Sequence, residues 1–239
     1  MTTSLDSWSF FDKIYCISID TRIDRRTEAK KQFSEAGLID KVEFVLVEKH
    51  TDNPEKGIFE SHISCLKKGL QAGAKHILVF EDDILIRDYK PQVLREALSF
   101  LRKNPDWNAF FLGAIISYMK KTASKSIVEI QFRCLAHAYA LNRDFAKTFV
   151  QQEWNNIPFD DLLQKQCENF FALSPMIAFQ GGASSDNRTV ALDRLRRLLG
   201  GLPFIQRSNE FYQRYKFAIL CGHVTVFIAL LTTLLAIFM

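Results

Sequence analysis

From Phe217 to Met239 the chain carries no Lys, Arg, Asp or Glu. As an α-helix these 23 residues would be roughly 35 Å long, enough to cross a hydrocarbon layer of about 30 Å. Ile, Leu, Val, Phe and Ala fall on every face, so such a helix has no polar side for water. It is either a buried core helix or a membrane span, and the span is the expectation; Gly222 and His223 interrupt it only near its start. Between Arg188 and Lys216 seven basic residues (Arg188, Arg194, Arg196, Arg197, Arg207, Arg214, Lys216) meet two acids, Asp193 and Glu210. That segment is +5 in a chain of net charge +4, so the positive charge is local. Basic residues beside a span favour the cytoplasmic side and attract anionic lipid heads. Phe204, Phe211, Tyr212 and Tyr215 suit a membrane interface, and residues 189–199, with leucines at 192, 195, 198 and 199, read as an interfacial basic helix. Bases of a nucleic acid would be the other partner for such a patch, but its place against the apolar run makes membrane lipids the expected partner and nucleic acid not one.

The chain as a whole, 48% hydrophobic and 24% charged, has the composition of one globular domain plus a short extension. Residues 1–12 lack the basic start, apolar core and cleavage site of a signal peptide, so the first half is expected in the cytosol. Five scattered cysteines without a CxxC pair fit buried thiols rather than a zinc site. Short apolar runs alternate with amphipathic ones. Strands are expected at 14–19, 42–47, 76–80 and 109–112, and helices at 24–36, 59–72 and 91–102, with 51–57 as a polar loop. This alternation predicts an α/β fold with a largely parallel sheet and helices on both faces, whose ligands gather at the carboxyl ends of the strands. The second half is less regular: strands are expected at 128–132, 136–141 and 176–179, and helices at 143–152 and 159–167.

Two stretches carry chemistry. Glu81-Asp82-Asp83 follows the apolar 76–80 run, and three successive carboxylates repel unless a cation or solvent relieves them. Such hard oxygen ligands suit Mn²⁺ or Mg²⁺, completed by diphosphate oxygens, with Asp82 and Asp83 as the metal ligands. A solvated turn is the competing reading. The second stretch, Ile17 to Arg26, runs from a strand into guanidinium groups that hold phosphate or a base edge by forked hydrogen bonds. Arg22 and Arg25 lie nearest the strand end, whereas Arg26 reads as the exposed face of a helix. A Gly-rich phosphate loop is absent here, which disfavours a nucleotidyltransferase.

The ordered set of Ile17-Ser18-Ile19-Asp20-Thr21-Arg22-Ile23-Asp24-Arg25-Arg26, Glu55-Lys56-Gly57, Ser61-His62 and Phe80-Glu81-Asp82-Asp83 resembles glycosyltransferase family 25. That family comprises lipooligosaccharide glycosyltransferases and relatives that modify collagen. The resemblance continues through Ala138 to Arg143, Asp160-Asp161, Pro175 to Gln180 and Ser185-Asp186. It departs at Ser18, where the family usually has Asn, at Ile58, where it has Cys, and at His137, where a small residue is commoner. The resemblance implies a GT-A-like (Rossmann-like) catalytic domain, a UDP-galactose or UDP-glucose donor and a glycan acceptor. It places a catalytic carboxylate at Asp160 or Asp161, residues that otherwise read as favouring a helix N-terminus. His62 reads as a packed helix residue, and the Ser-His motif adds a catalytic role. Gln180 is expected either at the donor or in strand hydrogen bonding. Together these readings give a GT-A-like domain over 1–187, a basic juxtamembrane segment over 188–216 and an anchor over 217–239. The catalytic domain is expected to be cytoplasmic and to act on a lipid-linked saccharide. Insertion would follow release from the ribosome, and a chain ending near Asn187 would stay soluble and bind donor. The alternative is a catalytically silent, membrane-anchored binding protein of the same fold.

Overall fold

The computed structural model describes residues 7–181 and 201–238. The expected interfacial helix at 189–199, with Arg188, Arg194, Arg196 and Arg197, and the Ser185-Asp186 pair lie outside the described residues.

An eight-stranded sheet has helices packed on its faces, as expected of an α/β fold. Its strands are β1 (Lys13–Ile19), β2 (Val42–Val47), β3 (His76–Glu81), β5 (Ala109–Phe111), β6 (Ile115–Lys121), β7 (Ile127–Cys134), β8 (Ala138–Asn142) and β9 (Phe170–Leu173), in the order β2-β1-β3-β8-β5-β9-β7-β6. A small ribbon pairs β4 (Ile84–Ile86) with β10 (Ala178–Gln180). The helices are α1 (Ile23–Glu35), α2 (Pro54–Gln71), α3 (Pro91–Lys103), α4 (Arg143–Phe149), α5 (Phe159–Lys165) and α6 (Gly201–Phe238).

The sheet is not largely parallel. Only the β2-β1-β3 side and the β5–β9 pair are parallel; β8 inserts antiparallel between β3 and β5, and β6, β7 and β9 pair antiparallel. The cause is local. After β5 the chain turns back as the β6–β7 hairpin rather than through a crossover helix, which parallel pairing needs. Within β3 the side chains alternate between two cores. Ile77 and Val79 face a cluster with Tyr15, Leu66, Phe111 and Tyr139, and Leu78 and Phe80 face one with Trp8, Phe33, Leu98 and Phe110.

Helix α2 begins at Pro54, inside the expected polar loop. Asn53 is the N-cap, its Oδ1 accepting from the Lys56 N–H at 3.1 Å, and proline occupies the first turn, where its missing N–H costs nothing. Gly57 lets this helix approach the end of the β2 loop, since a Cβ there would lie 2.8 Å from His50 Cβ.

Helix α6 is continuous for 38 residues. Its first turns dock on the domain through a polar face. Gln206 and Glu210 are buried, while Phe204, Phe211, Tyr212 and Tyr215 on other faces are exposed. Beyond Lys216 the large apolar side chains among the described residues stand outside the domain, with Phe217 at 77% and Phe227 at 65% exposure. This is not a buried core helix. It is one helix long and apolar enough to cross a membrane.

Candidate active site

β1, β2 and β3 are mutually parallel neighbours, with Ile19 beside Val47 and Ile17 beside Glu81, so their carboxyl ends share one edge. A cavity of about 420 Å³ opens there. Its wall brings together Arg25, His62, Glu81, Asp82, Asp83, Asp160, Asp161 and Gln180, nearly the whole set expected from sequence.

The turn after β3 presents Asp82 and Asp83. Arg25 Nη1 lies 3.5 Å from Asp82 Oδ1 and 3.9 Å from Asp83 Oδ2. Gln180 Nε2 donates to Asp83 Oδ2 at 3.2 Å, a contact set by the β4–β10 ribbon, in which Gln180 pairs with Ile84. Next to it Gly181 donates its N–H to the Asp83 carbonyl at 2.6 Å, and a Cβ at 181 would meet that oxygen at 2.8 Å. Burial, reinforced by Glu81 and Asp82, raises the Asp83 carboxyl to about 7 against the pull of Arg25; burial raises Asp82 as well. Asp82 Oδ2 and Asp83 Oδ1 are buried with no hydrogen-bond partner. The seven carboxylates on the wall (Glu48, Glu55, Glu81, Asp82, Asp83, Asp160, Asp161) outnumber its cations Arg25 and Lys49. Adjacent unpartnered hard oxygens in an acidic cavity fit a divalent cation shared with a phosphate ligand. Among the described residues no three His, Cys, Asp or Glu side chains are grouped so as to hold a metal ion by themselves.

His62 is buried on α2, stacked on Phe159 at a centroid distance of 4.1 Å. Its Nδ1 meets Tyr139 Oη at 3.0 Å and its Nε2 meets Glu81 Oε1 at 3.3 Å. Burial lowers its pKa to about 4, so the imidazole is neutral at neutral pH. An ionised Glu81 only accepts, so Nε2 carries the proton and Nδ1 accepts from the tyrosine hydroxyl. His62 therefore orients Glu81 and is not poised as an acid.

Asp160 does not cap its own helix; its carboxylate reaches the turn before β8. Oδ2 accepts from the Leu135 N–H at 2.7 Å and Oδ1 from the Ala136 N–H at 3.1 Å. Leu135 has φ 72°, a left-handed conformation costly for a leucine, and these bonds hold it. Burial raises Asp160 to about 6. Asp161, next in the chain, is exposed at the cavity wall.

Arg22 does not join the wall. Its Nε and Nη2 fork onto Asp24 at 3.0 and 2.9 Å, across the start of α1. Arg26, read from sequence as an exposed helix residue, instead ties the end of β1, donating to Ser18 Oγ, the Ile19 carbonyl and the Asp20 carbonyl. Residues that the sequence reading did not single out are Lys49 and His50 at the end of β2, Leu135, and Tyr139 as the partner of His62. Lys49 and His50 were within reach of the parallel-strand argument, because adjacent parallel strands deliver their ends to one edge.

The family model described as glycosyltransferase family 25 (LPS biosynthesis protein) matches residues 47–163, which hold Glu81, Asp82, Asp83, His62, Asp160 and Asp161. No curated protein matches the sequence. Similar solved structures include a protein from STIV (11% identity, 70% of this chain and 83% of that chain, TM-score 0.44). They also include a glycosyltransferase involved in glycosylation of the major capsid of PBCV-1 (11%, 64% and 74%, TM-score 0.36). A third is the galactosyltransferase LgtC in complex with donor and acceptor sugar analogs (12%, 67% and 72%, TM-score 0.37).

Proposed function

Residues 47–163 match the model of glycosyltransferase family 25, and from that premise we propose that the chain moves a hexose, galactose or glucose, from a UDP-sugar to a lipid-linked saccharide such as lipooligosaccharide. The observation that carries this reading is the pair of unpartnered oxygens, Asp82 Oδ2 and Asp83 Oδ1, in a cavity that also holds Arg25 and Gln180. A nucleoside diphosphate entering such an acidic cavity needs a counter-charge beyond Arg25 and Lys49. Asp82 and Asp83 would hold Mn²⁺ or Mg²⁺ there, which when bound neutralises charge on the departing diphosphate. Arg25 adds a fixed guanidinium beside the same oxygens, and Gln180 fixes the Asp83 rotamer. The nucleoside fits between the ends of β1 and β2 and the first turn of α2, against Ile17, Val47, Lys49 and His50. Glu81, held by neutral His62, faces the sugar. Asp161 takes the proton of the acceptor hydroxyl as its oxygen bonds to the anomeric carbon and the bond from that carbon to the diphosphate oxygen breaks. Asp160, its oxygens committed to Leu135 and Ala136, shapes the wall rather than moving a proton. Helix α6 anchors the enzyme, with the catalytic domain cytoplasmic and the acceptor in the same membrane.

Purified full-length protein incubated with a panel of nucleotide sugars, with and without Mn²⁺, tests this. Expected are a thermal shift and slow UDP release with UDP-galactose or UDP-glucose, dependent on the metal. Neither stabilisation nor nucleotide release with any sugar would leave only a silent binding protein.

A further inference from the structure

Resting on the membrane reading of α6, we infer that this helix is a rigid strut rather than a tether, and that it fixes the catalytic domain in one pose on the bilayer with the tip of the β6–β7 hairpin among anionic head groups. The contacts between α6 and the domain leave no slack. Gln206 accepts from the Gln180 N–H at 2.9 Å and donates to the Ala178 carbonyl at 3.4 Å. Asn209 bonds both the N–H and the carbonyl of Ile116, each at 3.0 Å. Glu210 accepts from the Met176 N–H at 3.1 Å, and Arg214 donates to Ser174 Oγ and Glu210, each at 2.8 Å. Lys216 Nζ lies 4.3 Å from the centre of the Tyr118 ring. The next residue, Phe217, begins the uncharged run, and the helix continues through it unbroken. The last residue held by the domain and the first of the apolar run are therefore neighbours on one helix.

These contacts also give direction. As α6 advances from Asn209 to Lys216, its partners on β6 advance from Ile116 to Tyr118, so helix and strand run the same way. Counted from the Ile116–Asn209 contact, Lys121 at the end of β6 lies five strand residues on, about 16 Å, and Phe217 lies eight helical residues on, about 12 Å, which brings the hairpin tip near the level at which the apolar run begins. Lys121 and Lys125 are exposed there, the chemistry that meets phosphate head groups. At the other end of the docked stretch, Gln206 stands eleven residues before Phe217, roughly 16 Å along the axis. Gln206 holds Gln180, and Gln180 holds Asp83. The strut thus sets the donor site about that far above the hydrocarbon edge. An acceptor hydroxyl carried on a saccharide reaches this height, and one at the head-group plane does not.

The test uses the full chain in vesicles, with Cys221→Ser and an environment-sensitive fluorophore on Ala123→Cys at the hairpin tip. The fluorophore is expected to shift to the blue in vesicles containing anionic lipid, and less so with Lys121→Glu and Lys125→Glu together. Seven alanines inserted after Lys216 lift the domain by roughly 10 Å while nearly keeping its facing. The insertion should abolish the blue shift and lower transfer to a lipid-linked acceptor at least tenfold, with UDP-hexose hydrolysis unchanged. A blue shift that survives the insertion, or a probe that stays in water in the uninserted protein, overturns the strut. Failure of the sugar-transfer reading looks different, since hydrolysis is then absent from every variant while the fluorescence still reports the pose. Failure of the membrane reading shows as protein released from the vesicles by alkaline carbonate.

Discussion

Gln180 Nε2 donates to Asp83 Oδ2 at 3.2 Å, joining two residues 97 positions apart. The bond spans the turn after β3 and the end of β10, and it places a neutral amide, not a second cation, opposite the carboxylate that burial disfavours most. One oxygen of Asp83 is therefore oriented, and the other, Oδ1, is left without a partner. A carboxylate fixed on one side and open on the other is a directional ligand. Arg25, 3.9 Å away, softens the charge without closing the site.

Replacing Asp83 separates its chemical and structural roles. Its folded-state pKa of about 7 lies well above the ordinary value for an aspartate, so the stability it contributes is complete below about pH 4 and is lost as pH rises through 7. Asp83→Asn removes that loss. The variant should melt on the order of 5 °C higher than the parent at pH 8 in chelator, with little difference near pH 4. Mn²⁺ should raise the melting temperature of the parent but not of the variant, and transfer should fall at least a hundredfold. A variant as active as the parent in chelator defeats the metal assignment.

The two arginines after β1 should behave unlike each other. Arg22 is committed to Asp24, whereas Arg25 faces Asp82 and Asp83 across the cavity. Arg25→Ala should cut kcat/KM for the donor by about tenfold to a hundredfold, the loss of a charge-assisted contact. Arg22→Ala should change it less than about twofold. Steady-state kinetics with donor varied at fixed acceptor decide this, and equal defects would return Arg22 to the donor site.

The parallel half of the sheet was legible because β1, β2 and β3 are short apolar runs punctuated by helices, and their order alone brings Glu81, Asp82 and Asp83 to a ligand-binding edge. Strand β6 was not legible. Its pairing with β7 shifts register around Ile115, Ile116 and Tyr118, which breaks the two-residue period, and as an edge strand it satisfies Ile116 through the Asn209 side chain, 93 residues away. The polar docking face of α6 was hidden for a related reason. Arg207, Glu210 and Arg214 read as a basic juxtamembrane stretch, but Glu210 pairs with both arginines, and Arg207 pairs also with Asp88. Side chains that satisfy backbone groups far along the chain leave no periodic signal. Asp160 and Asp161 were visible as a pair, but only the fold tells which carboxylate is spent on Leu135 and Ala136.

That division of labour gives a third prediction. Asp160→Ala strands two backbone N–H groups and releases the left-handed turn at Leu135, so it should cost ~2–4 kcal/mol of stability in urea unfolding. Leu135→Gly in the same background should recover about 1 kcal/mol, because glycine accepts the positive φ without strain. Asp161→Ala should leave stability within ~0.5 kcal/mol and lower kcat. If instead Asp161→Ala leaves kcat intact and Asp160→Asn abolishes it at unchanged stability, the base is Asp160.

The docked half of α6 decides where the chain can be cut. Ending it near Asn187, at the boundary expected from sequence, removes Gln206, Asn209, Glu210 and Arg214. It opens the Gln180 and Met176 N–H groups, both backbone groups of Ile116 and the Ser174 hydroxyl. Each of those groups lost from a buried position costs about 1–3 kcal/mol, and an opened β6 edge invites pairing with another chain. Ending the chain at Lys216 instead keeps all of these contacts, and the large apolar side chains it removes among the described residues, such as Phe217 and Phe227, are exposed. The shorter form should therefore aggregate or melt at least about 10 °C below the longer one, and the longer form should be soluble, bind donor and hydrolyse it at the rate of the full chain. Thermal unfolding and size-exclusion chromatography of the two forms settle the point. Equal melting temperatures would mean that α6 only leans on the domain, and its hydrogen bonds to Ile116, Met176 and Gln180 would then contribute nothing to the fold.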